Sequence, residues 1–548
     1  MSEPIQPLFE VARVRALRKY RLKCRLPSPD HFNTSTLDAR PLRSGRPQSV
    51  VHILALAALC SVAATFEARR LFALATPEVW IHLRTGMWIL ENRSIPRTGL
   101  FSQYTNLAWT DSSWLLDVLV AAMYKLFGLK ALPMLLMVLK AALAGVTFVL
   151  ARAMRASFWS AVALSALAQY AILSLQPLPY VFSILFFAVE LWVLVRSRRS
   201  GSTRELLWLP LLFAVWANVH LQFVAGLLVL GFFLIALVLE EALRRAGATW
   251  LSRRIVPLPM ARFGIISALC VIATLLNPYT FHPLAIAYKT LYSSVGFEHF
   301  AEMSALGFRK PQEYVLMLLV MAAFLALGRL RSLELFELIT LLAGTAVAFR
   351  IQRDAWMAVL PAVAVLSGGL GLRELDQESR PSEDRPSKDR PSSVVTSSQR
   401  AYAGALALVV LFIAVWRIPD DKELMSKVSE NFPVRACEYM ADNHLGGPIF
   451  NSYLWGSFLT WYAPQYPVVA DSRVELYGND VLSRYFDVVG GKERLESEPT
   501  VARAGMLLLE KQSAIARALL KFPALSAQYK LVYSDDIASV YVPQRAAQ

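Results

Sequence analysis

The sequence predicts an α-helical polytopic membrane protein that ends in a small α/β domain, and three observations predict it. Of the 548 residues, 55% are hydrophobic and only 18% charged, with a mean hydropathy of +0.42; soluble domains carry roughly 25% charged residues. Apolar runs near the ~20 residues that cross a bilayer recur along most of the chain. After residue 418 the long runs stop, and short β-rich stretches alternate with amphipathic helical ones.

In order, residues 1–49 form a basic arm, VARVRALRKYRLKCRLPS at its centre. With so many polar residues before the first apolar run and no small-residue cleavage site after it, no signal peptide is expected and the arm stays in the cytoplasm. Long apolar runs follow at 50–74, 131–151, 156–174, 179–195, 219–243, 262–276, 313–329, 333–349 and 354–373. Two shorter runs, 112–128 and 205–217, leave spanning, re-entering and lying flat all open. Basic residues collect at run ends: RSRRSGSTR at 196–204, the RR steps between 244 and 254, and RLR at 329–331. That is the positive-inside pattern, so the net charge of +15 reflects topology and argues against a nucleic-acid partner.

Residues 374–400 contain RPSEDRPSKDRPSS, a repeat with proline at every fifth position and no apolar residue, and read as a disordered cytoplasmic linker. The run in 401–418 is the last crossing. It places 419–548 outside the cytoplasm, with β-rich PIFN, PVVADS, YKLVYSDD and ASVYVP among helical segments. A cytoplasmic start and an external end require an odd number of crossings, and about 11–13 are expected. The same bookkeeping puts the first loop, 75–112, on the outer side, with Asn218 and His220, the loop 277–312 and the turn 350–356. The four cysteines, Cys24, Cys60, Cys270 and Cys437, are too scattered for a disulfide framework or a metal site.

The stretch TPEVWIHLRTG (76–86) opens that outer loop. Thr76 suits an N-cap, Pro77 the first helical position, and Glu78 in the first turn favours the helix dipole. In the helix, Glu78, His82 and Thr85 share one face, while Trp80 and Arg84 share another, in reach of a cation–π contact. Such a helix fits a membrane interface, or the rim of an active site held against one.

From here the residues carry a resemblance. Trp80, His82, Leu83, Gly86, Trp88, Ile89 and Leu90, then IPRTGLFS (95–102), Trp109, Asp111 and WLLDVL (114–119), resemble the first outer loop of bacterial membrane glycosyltransferases of the GT-C superfamily, related to protein mannosyltransferases and lipid A aminoarabinose transferases. Further matches follow in order: PLLFAVWANVHLQFVAGL (210–227), ATLLNPYTFHPL (273–284), the Glu298 region, RDAWMAVLPAVA (353–364) and NSYLWGSFLTWYAPQYPVVADSRVELYG (451–478). The resemblance runs from about 75 to 545.

It implies a bacterial inner-membrane enzyme that transfers a sugar from a polyprenyl-phosphate carrier in the bilayer to an acceptor glycan, lipid or protein on the extracytoplasmic face. Such chemistry needs a carboxylate to take the acceptor's proton. It also needs Arg, Lys, His or a divalent metal to hold the departing phosphate; no ligand cluster in the sequence selects the metal. Glu78, with Asp111, takes the acid role by this resemblance. His82, Arg84, Arg97, Asn218, His220, Asn277, Glu298 and Arg353 take substrate and lipid-phosphate roles. Asp471 and Arg473 read as a structural pair of the tail.

The chain departs from the family pattern at the acids. The first Asp of the Asp-Pro-Asp element is Thr76 and the second is Glu78, and the Asp of the Pro-Arg-Thr-Asp element is Gly99. The alternative is therefore a non-catalytic GT-C-like component, a scaffold or lipid-carrier handler in envelope polysaccharide assembly. An active site requires Glu78, His82, His220 and Arg353 to converge.

Overall fold

The structure, a computed structural model, describes residues 46–70, 72–172, 178–251, 258–329, 333–378, 415–495 and 498–544. Apart from their edges, the expected arm (1–49), linker (374–400) and last crossing (401–418) lie outside the described residues.

The membrane part is a bundle of helices, named here α1 (Arg46–Arg70), α2 (Glu78–Asn92), α3 (Trp114–Phe127), α4 (Ala131–Ala153), α5 (Phe158–Ala171), α6 (Leu178–Ser200), α7 (Leu209–Val219), α8 (Phe223–Arg245), α9 (Met260–Thr274), α10 (His282–Leu291), α11 (Ser294–His299), α12 (Pro311–Arg329), α13 (Leu335–Arg350) and α14 (Trp356–Glu378). Among the described residues, five helical stretches are long and apolar enough to cross a bilayer: Trp114–Ala153, Pro179–Ser200, Phe223–Arg245, Pro311–Arg329 and Gln352–Gly371. Three shorter apolar helices, Val50–Phe66, Glu205–Val219 and Met260–Thr274, accompany them. The short run at 112–128 forms α3, which leads directly into α4. A 3₁₀ turn at Gly128–Lys130 joins α3 to α4, and Gly128 (φ 62°, ψ −150°) ends α3 there, within one 40-residue apolar helical stretch.

The bundle core is apolar and aromatic, with Phe213, Trp216, Phe223, Phe233, Phe263 and Trp356 fully buried. Two buried charged residues, Lys140 and Glu190, stand mid-helix in α4 and α6, and others gather where helices end. At the end away from α2, Arg198 of α6 donates to both oxygens of Glu240 on α8, at 2.6 and 2.5 Å. Glu240 also accepts from the Leu335 backbone N–H at the start of α13 (2.9 Å), and Glu334 lies 3.5 Å from the Arg198 Nε. A guanidinium this deep is tolerable only with such partners.

The tail is built from α15 (Asp421–Val428), α16 (Val434–Asp442), β1 (Ile449–Asn451), α17 (Tyr453–Tyr462), α18 (Val474–Val489), α19 (Pro499–Arg503), β2 (Met506–Glu510), α20 (Ala514–Lys521), β3 (Tyr529–Ser534) and β4 (Ala538–Pro543). Its sheet runs β1-β2-β4-β3: β1 and β2 are parallel, and β4 is antiparallel to both its neighbours. The parallel pair needs a long crossover, which α17 to α19 provide. Thus the four-stranded sheet is the small α/β domain the sequence predicts.

Candidate functional site

The first outer loop is clamped between bundle and tail. Pro77 (φ −56°, ψ −40°) stands at the N-cap position where the sequence places Thr76, and no side chain caps the helix from there. The helix ends at Arg93 in the left-handed region (φ 51°), whose N–H donates to the Ile89 carbonyl. Helix α2 does not lie bare on a lipid surface. One side meets α3 so closely that a Cβ at Gly86 would fall 1.9 Å from the Asp117 carbonyl oxygen. The other carries Trp80, fully buried and packed on Phe432, Phe458 and Trp461 of the tail, with ring centroids 5.8, 5.3 and 4.7 Å away. Trp80 is therefore an anchor, and Arg84 sits over Phe101 instead, 4.9 Å from the ring centre.

A second clamp comes from the tail's Asp471-Ser-Arg473-x-x-x-Tyr477. Arg473 and Asp471 form a fully buried two-point pair at 2.9 and 2.6 Å, and Tyr477 donates its hydroxyl to Asp471 (2.8 Å). Arg473 then reaches out of its domain, donating to the Leu100 carbonyl (2.7 Å) and covering the Trp109 ring. Trp109 donates to Glu475 (3.1 Å), and Phe101 and Gln103 exchange backbone bonds with Val468. The motif read as a pair within the tail thus also fixes the first loop.

At this junction charged groups from four elements meet. Glu78 at the start of α2 faces Glu302 and Arg353, with His82 one turn further along the helix. Burial pushes the Glu78 carboxyl up to about 7; the Glu302 charge adds to the rise, and His82 and Arg353 oppose it. Arg353 donates to Glu302 (3.0 Å) and lies over the Tyr180 ring (4.6 Å). Tyr180 packs edge-on against His220 (4.5 Å), whose Nδ1 is 2.7 Å from the Ser183 hydroxyl. Burial, then the Arg353 and His82 charges, hold His220 well below its ordinary range, so it is neutral. Beside Arg353, Asp354 accepts from Gln222 (2.6 Å). From the tail, Tyr453 at the start of α17 senses both Glu78 and Glu302. Glu78, His82, His220 and Arg353 thus lie near enough for each to feel the charge of another.

Other residues stand elsewhere. Glu298 is 66% exposed and only 3.9 Å from His299, whose ring stacks on Phe486. The acid that enters the cluster is Glu302, four residues on, because Gln352 ties that loop to the 350–354 turn through the Ala301 and Ser304 carbonyls. Asn218 spends its amide on structure, accepting from Trp114 (2.6 Å) and donating to the Ala214 and Leu276 carbonyls. Asn277 closes the turn after α9, donating to Thr274 and Thr280 carbonyls while its side-chain oxygen accepts from the Tyr279 N–H. Arg97 is exposed and reaches the Pro278 carbonyl at 3.3 Å.

Asp111 is no free base. It is buried, accepts from the Ser113 N–H (3.1 Å), and retains its proton well above the usual carboxylate range through burial and the Asp117 charge. Asp117, which sequence reasoning passed over, lies 2.7 Å from His82 Nδ1. It sits inside the apolar WLLDVL run, where a first-turn acid reads as a dipole match. The only sequence cue was its one-face spacing with Ser113.

Among the described residues, no three His, Cys, Asp or Glu side chains form a metal-ligand group. Positive charge at the cluster comes from Arg353. Beside the site, Trp114, Leu115, Ala214, Val215 and Leu275–Pro278 line an open groove of about 640 Å³.

No protein-family model matches the chain, and no curated protein is similar in sequence. Among solved structures it is similar to the oligosaccharyltransferase of Archaeoglobus fulgidus. The form tethered by a disulfide to an acceptor peptide containing the NVT sequon matches at 13% identity, over 91% of this chain and 74% of that one, with TM-score 0.52. The apo form matches at 12% identity over 91% and 75%, with TM-score 0.48. At such identity the likeness concerns the fold, and the fold is GT-C-like: a helical membrane bundle with a small α/β domain closing over its first loop.

Proposed function

We propose that this chain is an integral membrane glycosyltransferase of the bacterial inner membrane. It moves a sugar from a polyprenyl-phosphate carrier to an acceptor on the extracytoplasmic face, the N-terminus being cytoplasmic and the tail external. One observation carries the reading: a buried carboxyl, Glu78, poised near 7 beside a guanidinium, Arg353, at the meeting of bundle, loop and tail. A general base works best when its pKa lies near the operating pH. Glu78 takes the proton of the acceptor's hydroxyl or amine as that atom attacks the sugar's anomeric carbon. Arg353 stabilises the charge that grows on the departing phosphate, with Glu302 and Tyr180 fixing its orientation. The open groove beside Trp114 and Leu275 suits the carrier's prenyl chain.

The second reading, a non-catalytic GT-C-like component, is favoured by Gly99. A Cβ there would lie 2.3 Å from the Tyr104 carbonyl oxygen, so this loop has no room for the family's acid. Reconstituted protein, given a panel of polyprenyl-phosphate sugars with and without Mg²⁺ or Mn²⁺, separates the two. Sugar transfer that Glu78→Gln lowers at least about 100-fold supports the enzyme. Binding of polyprenyl phosphate without turnover supports the alternative.

A further inference from the structure

We propose that Asp117 is a positioning residue that holds His82 ready to take the proton from Glu78 after each transfer, so that the pair resets the base. This rests on the reading of Glu78 as general base. The geometry is that of a built dyad. His82 Nδ1 and Asp117 Oδ1 are 2.7 Å apart, with the Asp117 side chain 2% exposed and the His82 side chain 15%. Gly86, one turn past His82, lets α2 approach the α3 backbone closely enough for that bond. Asp111, itself fixed by the Ser113 N–H, lies within hydrogen-bond reach of Asp117 and backs it.

An imidazole that donates its Nδ1–H to a carboxylate carries its lone pair on Nε2. Glu78 is four residues before His82, on the same helix face, and the two groups feel each other's charge. The titratable groups around His82 are Glu78 on its own helix, Asp111 and Asp117 from the α3 side, Glu475 from the tail and His220 from the bundle. Burial holds His82 below its ordinary range, and the charges of Asp111, Glu78 and Glu475 oppose that shift.

The sequence of bonds balances. The acceptor's O–H or N–H bond breaks toward Glu78 as its oxygen or nitrogen bonds the anomeric carbon, and the carbon–phosphate oxygen bond breaks with its electron pair on the phosphate. The Glu78 O–H bond then breaks and an Nε2–H bond forms on His82. Asp117 stabilises the imidazolium until the proton leaves through the exposed edge of the ring. The arrangement also accounts for a chain that keeps one first-loop acid: the second proton site is an imidazole.

The test uses full-length protein in nanodiscs. Histidine ¹⁵N shifts, assigned with His82→Gln, report the tautomer without any substrate. The expected result is Nδ1–H in the wild type and a flip to Nε2–H in Asp117→Asn, whose amide donates to Nδ1. With a polyprenyl-phosphate sugar that the wild type turns over, Asp117→Asn should lower kcat about 100-fold, leave KM unchanged and displace the acid limb of the pH profile. If Asp117→Asn does not fold, His82→Gln should show the same loss of kcat. An Nε2–H tautomer in the wild type overturns the proposal, as does unchanged kcat and pH profile in both variants. Absence of wild-type turnover with every sugar instead overturns the transferase reading, and the tautomer measurement keeps the two failures apart.

Discussion

Replacing Glu78 by Gln should inactivate the protein and, above neutral pH, make it more stable. The carboxyl has its proton affinity raised from 4.5 to about 7 in the fold, chiefly by burial and secondarily by Glu302. A raised pKa means that the folded state binds the proton more tightly than the unfolded one, so the stability from this group is full below pH 4.5 and is lost as pH rises through 7. At about 1.4 kcal/mol per pKa unit the loss is about 3 kcal/mol at pH 9. Gln has the same length and hydrogen-bonding body but cannot ionise, so it keeps what the wild type loses. Thermal unfolding of both proteins in nanodiscs at pH 5 and pH 9 measures this directly. The Gln variant should match the wild type at pH 5 and exceed it at pH 9, while sugar transfer disappears at both. Equal or lower stability of the variant at pH 9 would refute the claim that Glu78 is held at a cost for its chemistry.

Three further outcomes follow from the same geometry. Glu302→Gln removes the charge that raises Glu78, so the acid limb of the activity profile should move to lower pH; Arg353→Gln removes one that lowers it, so that limb should move up, with kcat reduced as well. Trp80→Ala empties a site enclosed by Phe432, Phe458 and Trp461 and should cost about 3–5 kcal/mol, seen as earlier thermal unfolding and faster proteolysis of the tail. Glu240→Gln leaves the Arg198 guanidinium, 3% exposed, with Glu334 at 3.5 Å as its remaining carboxylate; a loss of about 3–5 kcal/mol is expected in the same thermal assay.

How much of this was legible follows from what each residue answers to. The apolar runs answer to the bilayer, which imposes length and leaves a one-dimensional record, so helices α4, α6, α8, α12 and α14 could be read directly. The short run at 112–128 stayed open in the sequence, because its own length sets no topology; Gly128, with its positive φ, ends α3 where the 3₁₀ turn begins. The cluster answers to loop closure. Glu298 and Glu302 look alike in sequence, and only the bonds from Gln352 to Ala301 and Ser304 decide which acid faces Glu78. Tyr453 reads as one aromatic among many in the tail. Its place near Glu78 follows from Trp80 and Arg473, which dock one domain on the other.

Gly99 is where sequence comparison and structure pull apart most, and it makes the last prediction. Set against the family pattern, Gly99 is a missing acid, and restoring Asp there should restore or raise activity. Its surroundings say otherwise. Gly99 donates its N–H to the Leu107 carbonyl and its Cα faces the Tyr104 carbonyl, where a Cβ would approach to 2.3 Å, with Leu476 of the tail at 3.3 Å. The obstacle at 2.3 Å is backbone, so Gly99→Asp must displace the turn that carries Phe101 and Gln103 to Val468, at a cost of about 1–3 kcal/mol. The expected outcome is lower thermal stability and lower transfer, read in the assays above. A gain in transfer would mean that the loop opens during turnover and that position 99 belongs to the chemistry. A loss together with lower thermal stability means that the loop and the tail have closed over the vacated position together.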